Sequence, residues 1–164
     1  MSEHNRTLLN DSGIPDSRDA VVVLVYTEWN EAVVNELVNG CEKTLRGHGV
    51  REIVKVRVPG AVELPFACSR YFEATSDGPG RPDALIALGC VLRGGTPHFD
   101  YVCQSVTQGI THLNLQLPVP VIFGVLTVDT MEQALERIGG THGHKGEEVA
   151  VTALKMIAFN RKIS

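Results

Sequence analysis

Three stretches of this 164-residue chain are almost continuously apolar and rich in β-branched residues: Ala20 to Tyr26 (AVVVLVY), Ala84 to Cys90 (ALIALGC) and Val119 to Leu126 (VPVIFGVL). Runs of this kind suit strands covered on both faces, the usual state of parallel strands flanked by helices. Ile53 to Val58 (IVKVRV) differs, because Val54, Val56 and Val58 alternate with Lys55 and Arg57. That alternation leaves one face wet and predicts a strand at the sheet edge. Between the strands, Val33, Val34, Leu37, Val38, Cys41 and Leu45 recur at helical spacing, with Gly47 and Gly49 as stops. A second helix is predicted just after Pro59-Gly60, with Pro65 in its first turn and Leu64, Cys68, Tyr71 and Phe72 on one face. A third, beginning near Phe99, uses Val102, Cys103, Val106, Ile110 and Leu113. Thr130 and Gln133 have capping-box spacing and open a short helix, and Val149, Ala150, Ala153, Leu154 and Ile157 share a face of the last one.

Strand and helix thus alternate four times. Parallel strands need right-handed crossovers, and helices then cover both faces of the sheet. The expected fold is a single α/β domain, a three-layer sandwich whose four-stranded parallel sheet has flavodoxin-like order with the second strand at the edge. It spans residues 20–164, preceded by a polar arm, 1–19. The length leaves little room for a second domain.

Charge and cysteine usage narrow the function. Fifteen Lys and Arg against nineteen Asp and Glu give a net charge of −4, which disfavours a surface built to neutralise nucleic-acid backbones. No apolar run approaches the roughly 20 residues needed to span a bilayer. The first twenty residues lack the apolar centre of a signal peptide, and Cys41, Cys68, Cys90 and Cys103 are widely spaced, without CxxC pairs. A cytoplasmic protein with reduced thiols is expected, with no membrane and no nucleic-acid partner.

Open parallel sheets bind ligands beyond the carboxyl ends of their strands. After the first strand stand Trp29, the only tryptophan, and Asn30, which offer a stacking surface and an amide for a flat heterocycle. After the second come Gly60, Ala61, Val62 and Glu63, where a tight turn exposes backbone N–H groups and a carboxylate to a polyhydroxylated chain. After the third, Arg93-Gly94-Gly95-Thr96-Pro97-His98 places glycines and a hydroxyl before a helix, a setting for one phosphate group. Neither a Walker loop nor a GxGxxG pattern is present, so nucleotide cofactors are disfavoured. His98 has the chemistry for proton exchange near neutrality. Arg137 and the glycine-rich stretch 139–146, read as a flexible loop, add positive charge to the anion site. His142 and His144 have no Cys or carboxylate set beside them, so no metal is expected. From residues alone, structural roles are favoured for Trp29 as a helix-entry residue and for Glu63 as a dipole-complementing carboxylate, and for His98 a solvated helix start is an even alternative.

Taken together, VPGAVELPFA, RGGTPHFDYVC, PVIFGVLT, EQALERIGG and HGHKGEE, in this order and spacing from about Val21 to Met156, resemble the lumazine synthase family of riboflavin biosynthesis. The resemblance implies condensation of 5-amino-6-(D-ribitylamino)uracil with 3,4-dihydroxy-2-butanone 4-phosphate to 6,7-dimethyl-8-ribityllumazine, without a cofactor. It also implies roles. Trp29 stacks on the pyrimidine with Asn30 nearby; Ala61, Val62 and Glu63 hold the ribityl chain; Cys90, Val91 and Leu92 line the heterocycle through their backbone. Gly95 and Thr96, with Arg137, hold the phosphate, and His98 transfers protons. Phe123, Lys145 and Glu148 match positions that neighbouring subunits contribute. The implied assembly is a homopentamer with sites between subunits. The short loop GGTHGHKG is similar to that of members whose pentamers close into an icosahedral shell, and riboflavin synthase is the implied partner. A competing expectation is a scaffold on the same fold that holds flavin or lumazine without turnover; His98 and Arg137 favour catalysis.

Overall fold

The computed structural model describes residues 9–164. Four parallel strands, β1 (Val21–Thr27), β2 (Glu52–Val58), β3 (Ala84–Leu92) and β4 (Val121–Val128), form one sheet in the order β2-β1-β3-β4. The crossovers are α1 (Glu31–Gly47), α2 (Leu64–Thr75) and α3 (His98–Gln116); α4 (Met131–Glu136) and α5 (Lys145–Ile163) follow β4. The flavodoxin-like order and the edge position of β2 are as the apolar patterns predict.

Side chains of a strand point alternately to its two faces, and here that alternation splits the interior into two cores. Val22, Leu24, Ile86 and Leu88 face one way and meet Val33, Leu37 and Cys41 of α1 and Val149, Ala153 and Leu154 of α5. Val23, Val25, Leu85 and Ala87 face the other and meet Leu64, Cys68 and Phe72 of α2 and Val106, Ile110 and Leu113 of α3. The central strands are therefore apolar along nearly their whole length, with only Tyr26 and Thr27 at the end of β1 carrying hydroxyls. On β2, Lys55 and Arg57 are exposed, while Val54, Val56 and Val58 pack partly against the second core.

Three local features differ from the expectation. A 3-10 turn, Ala61–Glu63, intervenes between Pro59-Gly60 and α2, so the helix proper begins at Leu64 with Pro65 in its first turn. The stretch expected as a flexible loop contains a small antiparallel hairpin, β5 (Ile138–Gly140) with β6 (Gly143–His144). His144 in that hairpin is half-buried and structural: its Nδ1 accepts the N–H groups of Gly146 (3.1 Å) and Glu147 (3.4 Å) and caps α5. Its ring also lies on α1, where a Cβ on Gly40 would stand 2.2 Å from His144 Cε1. The capping box of α4 is also offset by one residue: Thr130 Oγ1 accepts from Gln133 N, but the Gln133 side chain accepts from Asp129 N, at 2.7 Å.

Of the polar arm, residues 1–8 lie outside the described residues. Residues 9–19 form neither helix nor strand, yet Ile14 packs on the first core and Ser17 is buried. The loop after α2 is anchored at Asp83, whose N–H donates to Val21 O and whose Oδ2 accepts from Val21 N, both at 2.8 Å.

Candidate active site

All strands run the same way, so the turns after β1, β2 and β3 emerge together at one end of the sheet. The turn after β1 is set by Asn30, the only non-glycine with positive φ (58°) among the described residues. Asparagine tolerates this left-handed conformation better than most residues. Its side-chain Nδ2 donates to Cys90 O at 2.8 Å, tying the end of β1 to the end of β3. Asn30 therefore spends that donor inside the chain. Trp29 precedes it, 64% exposed, with its N–H directed at Pro59 O (3.3 Å) in the turn after β2.

At the β2 end, Gly60 N–H donates to Glu63 Oε2 at 3.0 Å. Glu63 is half-buried and Val62 is exposed, while Ala61 packs inward. The β2 turn thus presents a carboxylate held by the backbone next to an exposed indole.

At the β3 end, Val91 and Leu92 are partly exposed, and burial pushes the Cys90 thiol up to about 11. Such a thiol is protonated at neutral pH and is a poor nucleophile. The loop from Arg93 to His98 is exposed, and a Cβ on Gly94 or Gly95 would meet nothing within 4 Å. The packing of the chain itself places no demand for glycine there. Thr96 Oγ1 accepts the His98 N–H at 3.4 Å, and His98 opens α3 with its side chain exposed. Arg93, which sequence reading left without a role, fastens the loop. Its N–H donates to Val128 O (2.9 Å), its Nε to Asp129 Oδ1 (2.6 Å), and its guanidinium lies 4.2 Å from the centroid of the Phe99 ring.

Arg137, Lys145 and Glu148 form a second cluster where α4, the hairpin and α5 meet. Arg137 donates to both carboxylate oxygens of Glu148, at 2.9 and 2.8 Å, and to His142 O. Two of its five N–H donors are left over among the described residues. Lys145 Nζ stands 4.0 Å from Glu148 Oε2, and burial, only partly offset by Glu148, lowers its pKa. Arg137 and Lys145 line an open cleft of about 490 Å3 beside the end of β4, together with Gln133, Glu136 and His142. Arg137 and Glu148 also border a smaller cleft with Leu9 and Asn10 of the arm.

The predicted residues therefore fall into two groups. Trp29, Asn30, Ala61 to Glu63, Cys90 to Leu92 and Gly95 to His98 occupy the ends of β1, β2 and β3. Arg137, Lys145 and Glu148 belong to the cation cluster. Phe123 joins neither, because it sits on β4 and packs partly against the second core.

A family profile described as 6,7-dimethyl-8-ribityllumazine synthase matches residues 19–161. The chain belongs to that family. It is similar to the 6,7-dimethyl-8-ribityllumazine synthase of Parabacteroides distasonis, with 49% identity over 151 residues and 91% of each chain covered. The enzyme of that name from Porphyromonas gingivalis is 49% identical over 160 residues, 96% of each chain. That of Phocaeicola vulgatus is 41% identical over 162 residues, 98% of this chain and 94% of the relative. The match to the lumazine synthase family takes in every element of the sheet and both residue groups. Arg93 and Asp129 join the candidate residues on geometry alone, and an arginine flanking a glycine pair was the one local signal of a fastened loop.

Proposed function

We propose that this protein is a 6,7-dimethyl-8-ribityllumazine synthase, a cofactor-independent transferase that condenses 5-amino-6-(D-ribitylamino)uracil with 3,4-dihydroxy-2-butanone 4-phosphate. The observation that carries this reading is the joint placement of an exposed indole, a backbone-held carboxylate and an unencumbered glycine loop at one end of the sheet, in a chain that matches the family over 143 residues, 19–161. Trp29 offers the pyrimidine a stacking face, and Glu63 with the backbone of Ala61 and Val62 offers polar partners to the ribityl hydroxyls. Cys90 to Leu92 border the ring. The N–H groups of Gly95 and Thr96 approach the phosphate without side-chain obstruction.

The chemistry asks little beyond orientation. An amine and a ketone condense unaided once held in place, so positioning supplies much of the acceleration. The pyrimidine amine attacks the ketone, water leaves as the imine forms, phosphate departs by β-elimination, and the resulting enol tautomerises to a ketone that the second amine attacks, closing the ring with loss of a second water. His98, exposed at the start of α3, is suited to carry protons between these steps. The two spare donors of Arg137 suit the departing phosphate.

The resemblance supports a site shared between copies, in which Phe123, Lys145 and Glu148 of one subunit complete the crevice of its neighbour. A homopentamer is the proposed unit, closing into an icosahedral shell, with riboflavin synthase as partner in the cytoplasm.

The test is to mix the purified protein with both substrates and follow lumazine fluorescence and phosphate release against the uncatalysed background. Equal, enzyme-dependent appearance of the two is expected. Binding of lumazine or flavin with no product above background would overturn the reading in favour of a scaffold.

A further inference from the structure

We propose that Gly60 is a positioning residue of the pyrimidine subsite: its bare Cα is the platform on which the Trp29 indole rests, and its N–H fixes the Glu63 carboxylate, so one residue sets both recognition groups. The inference rests on the reading above and deepens it.

A Cβ built on Gly60 would stand 2.4 Å from Trp29 Cζ3, 2.5 Å from Cε3 and 3.2 Å from Cη2. Ordinary contact begins near 3.4 Å, so the ring would have to move by roughly 1 Å. The backbone does not require glycine here. Gly60 has φ −136° and ψ 179°, extended geometry that any residue adopts. The three atoms nearest to that Cβ all belong to the indole, so the ring is what demands a bare Cα.

The indole cannot escape by a shift of its own backbone. The N–H groups of Glu28 and Trp29 both lie on Pro59 O, at 3.1 and 3.3 Å. On the other side Asn30 is held in its left-handed turn with its amide on Cys90 O. A side chain at Gly60 must therefore be accommodated by rotating the Trp29 ring away from its present position over Gly60. Alanine retains the N–H that binds Glu63 Oε2, so Gly60→Ala perturbs the platform and leaves the carboxylate anchor in place.

Trp29 is the only tryptophan, so its fluorescence reports this contact without a label. Gly60→Ala is expected to shift the emission of the free protein and to weaken quenching by added 6,7-dimethyl-8-ribityllumazine about tenfold in Kd. In steady state it should raise KM for the pyrimidine by a similar factor and leave KM for the butanone phosphate within about twofold. The decisive comparison is Gly60→Ala in a Trp29→Ala background, followed by lumazine fluorescence. With the indole gone, the added methyl group should cost nothing further. Unchanged emission and unchanged lumazine Kd in Gly60→Ala would overturn the proposal. So would an equal loss in both backgrounds, or a double variant that fails to fold, since either makes Gly60 necessary for reasons other than Trp29. The emission shift and the lumazine titration need no turnover, so they judge Gly60 even if the protein proves not to be a synthase.

Discussion

Gly146→Ala tests how closely α1 and α5 must approach. A Cβ there would stand 2.2 Å from Leu37 O and 3.1 Å from Cys41 N. Both are main-chain atoms of α1 and cannot swing aside as the tip of a side chain can. Relief requires the two helices to part by roughly 1 Å, which forfeits about a quarter to a half of each pairwise attraction across the seam. Leu37, Cys41, Val149, Ala150 and Ala153 are buried in the core that the seam closes. With on the order of 30 facing atom contacts at about 0.15 kcal/mol each, the loss is roughly 1–2 kcal/mol, within the range of overpacked cores. Gly47, the last residue of α1, supplies the contrast: a Cβ there meets nothing within 4 Å. Gly47→Ala should stabilise by about 0.5–1 kcal/mol, by restricting the unfolded chain. Urea unfolding at one fixed protein concentration should show the two midpoints moving in opposite directions with the slope unchanged. If both variants gain stability, α1 and α5 have slack and the close-approach argument is wrong.

Other substitutions test the site. His98→Ala should lower kcat by less than the factor of about 10² typical of a general acid–base group, because orientation carries much of the reaction; wild-type turnover would contradict a proton-transfer role. Arg137→Ala, made with Glu148→Gln so that no half-buried carboxylate is stranded, should raise KM for the butanone phosphate about tenfold or more and leave KM for the pyrimidine nearly unchanged. Lys145→Met should raise the urea midpoint at pH 7 while lowering activity. Burial holds the native pKa of Lys145 below its ordinary value of 10.5, so between the two values the unfolded chain binds more protons and stability rises with pH. The cost of its charge is therefore present throughout neutral pH and disappears above about 10.5, where the variant and the parent should converge. A lower midpoint for the variant at pH 7 would contradict this sign.

What the sequence made legible is what repeats locally. Val22 and Leu24 alternate with Val23 and Val25, so two cores and a central strand followed from β1 before any contact was known. Lys55 and Arg57 marked β2 as an edge for the same reason. The residues after each strand were legible as a site because parallel topology gathers strand ends. Contacts between distant segments were not. The pairing of Arg137 with Glu148 depends on a hairpin whose strands have three and two residues, too short for any periodicity to register. Asn30 was expected to face a heterocycle, yet its Nδ2 is committed to a carbonyl sixty positions away. Similarly, nothing in PGAVE reveals that an indole from another turn rests on its glycine.

The charged residues of β2 bear on solubility as well as on fold. Lys55 and Arg57 are tied to Glu42 and Glu31 of α1, each at 3.2 Å. These exposed pairs add little stability, but they keep cations along a strand whose outer side no described residue pairs. An unpaired edge invites strands from other molecules, and lysine or arginine along it is the usual deterrent. A chain with both cations replaced by threonine should melt near the parent temperature and still be lost to precipitation during concentration.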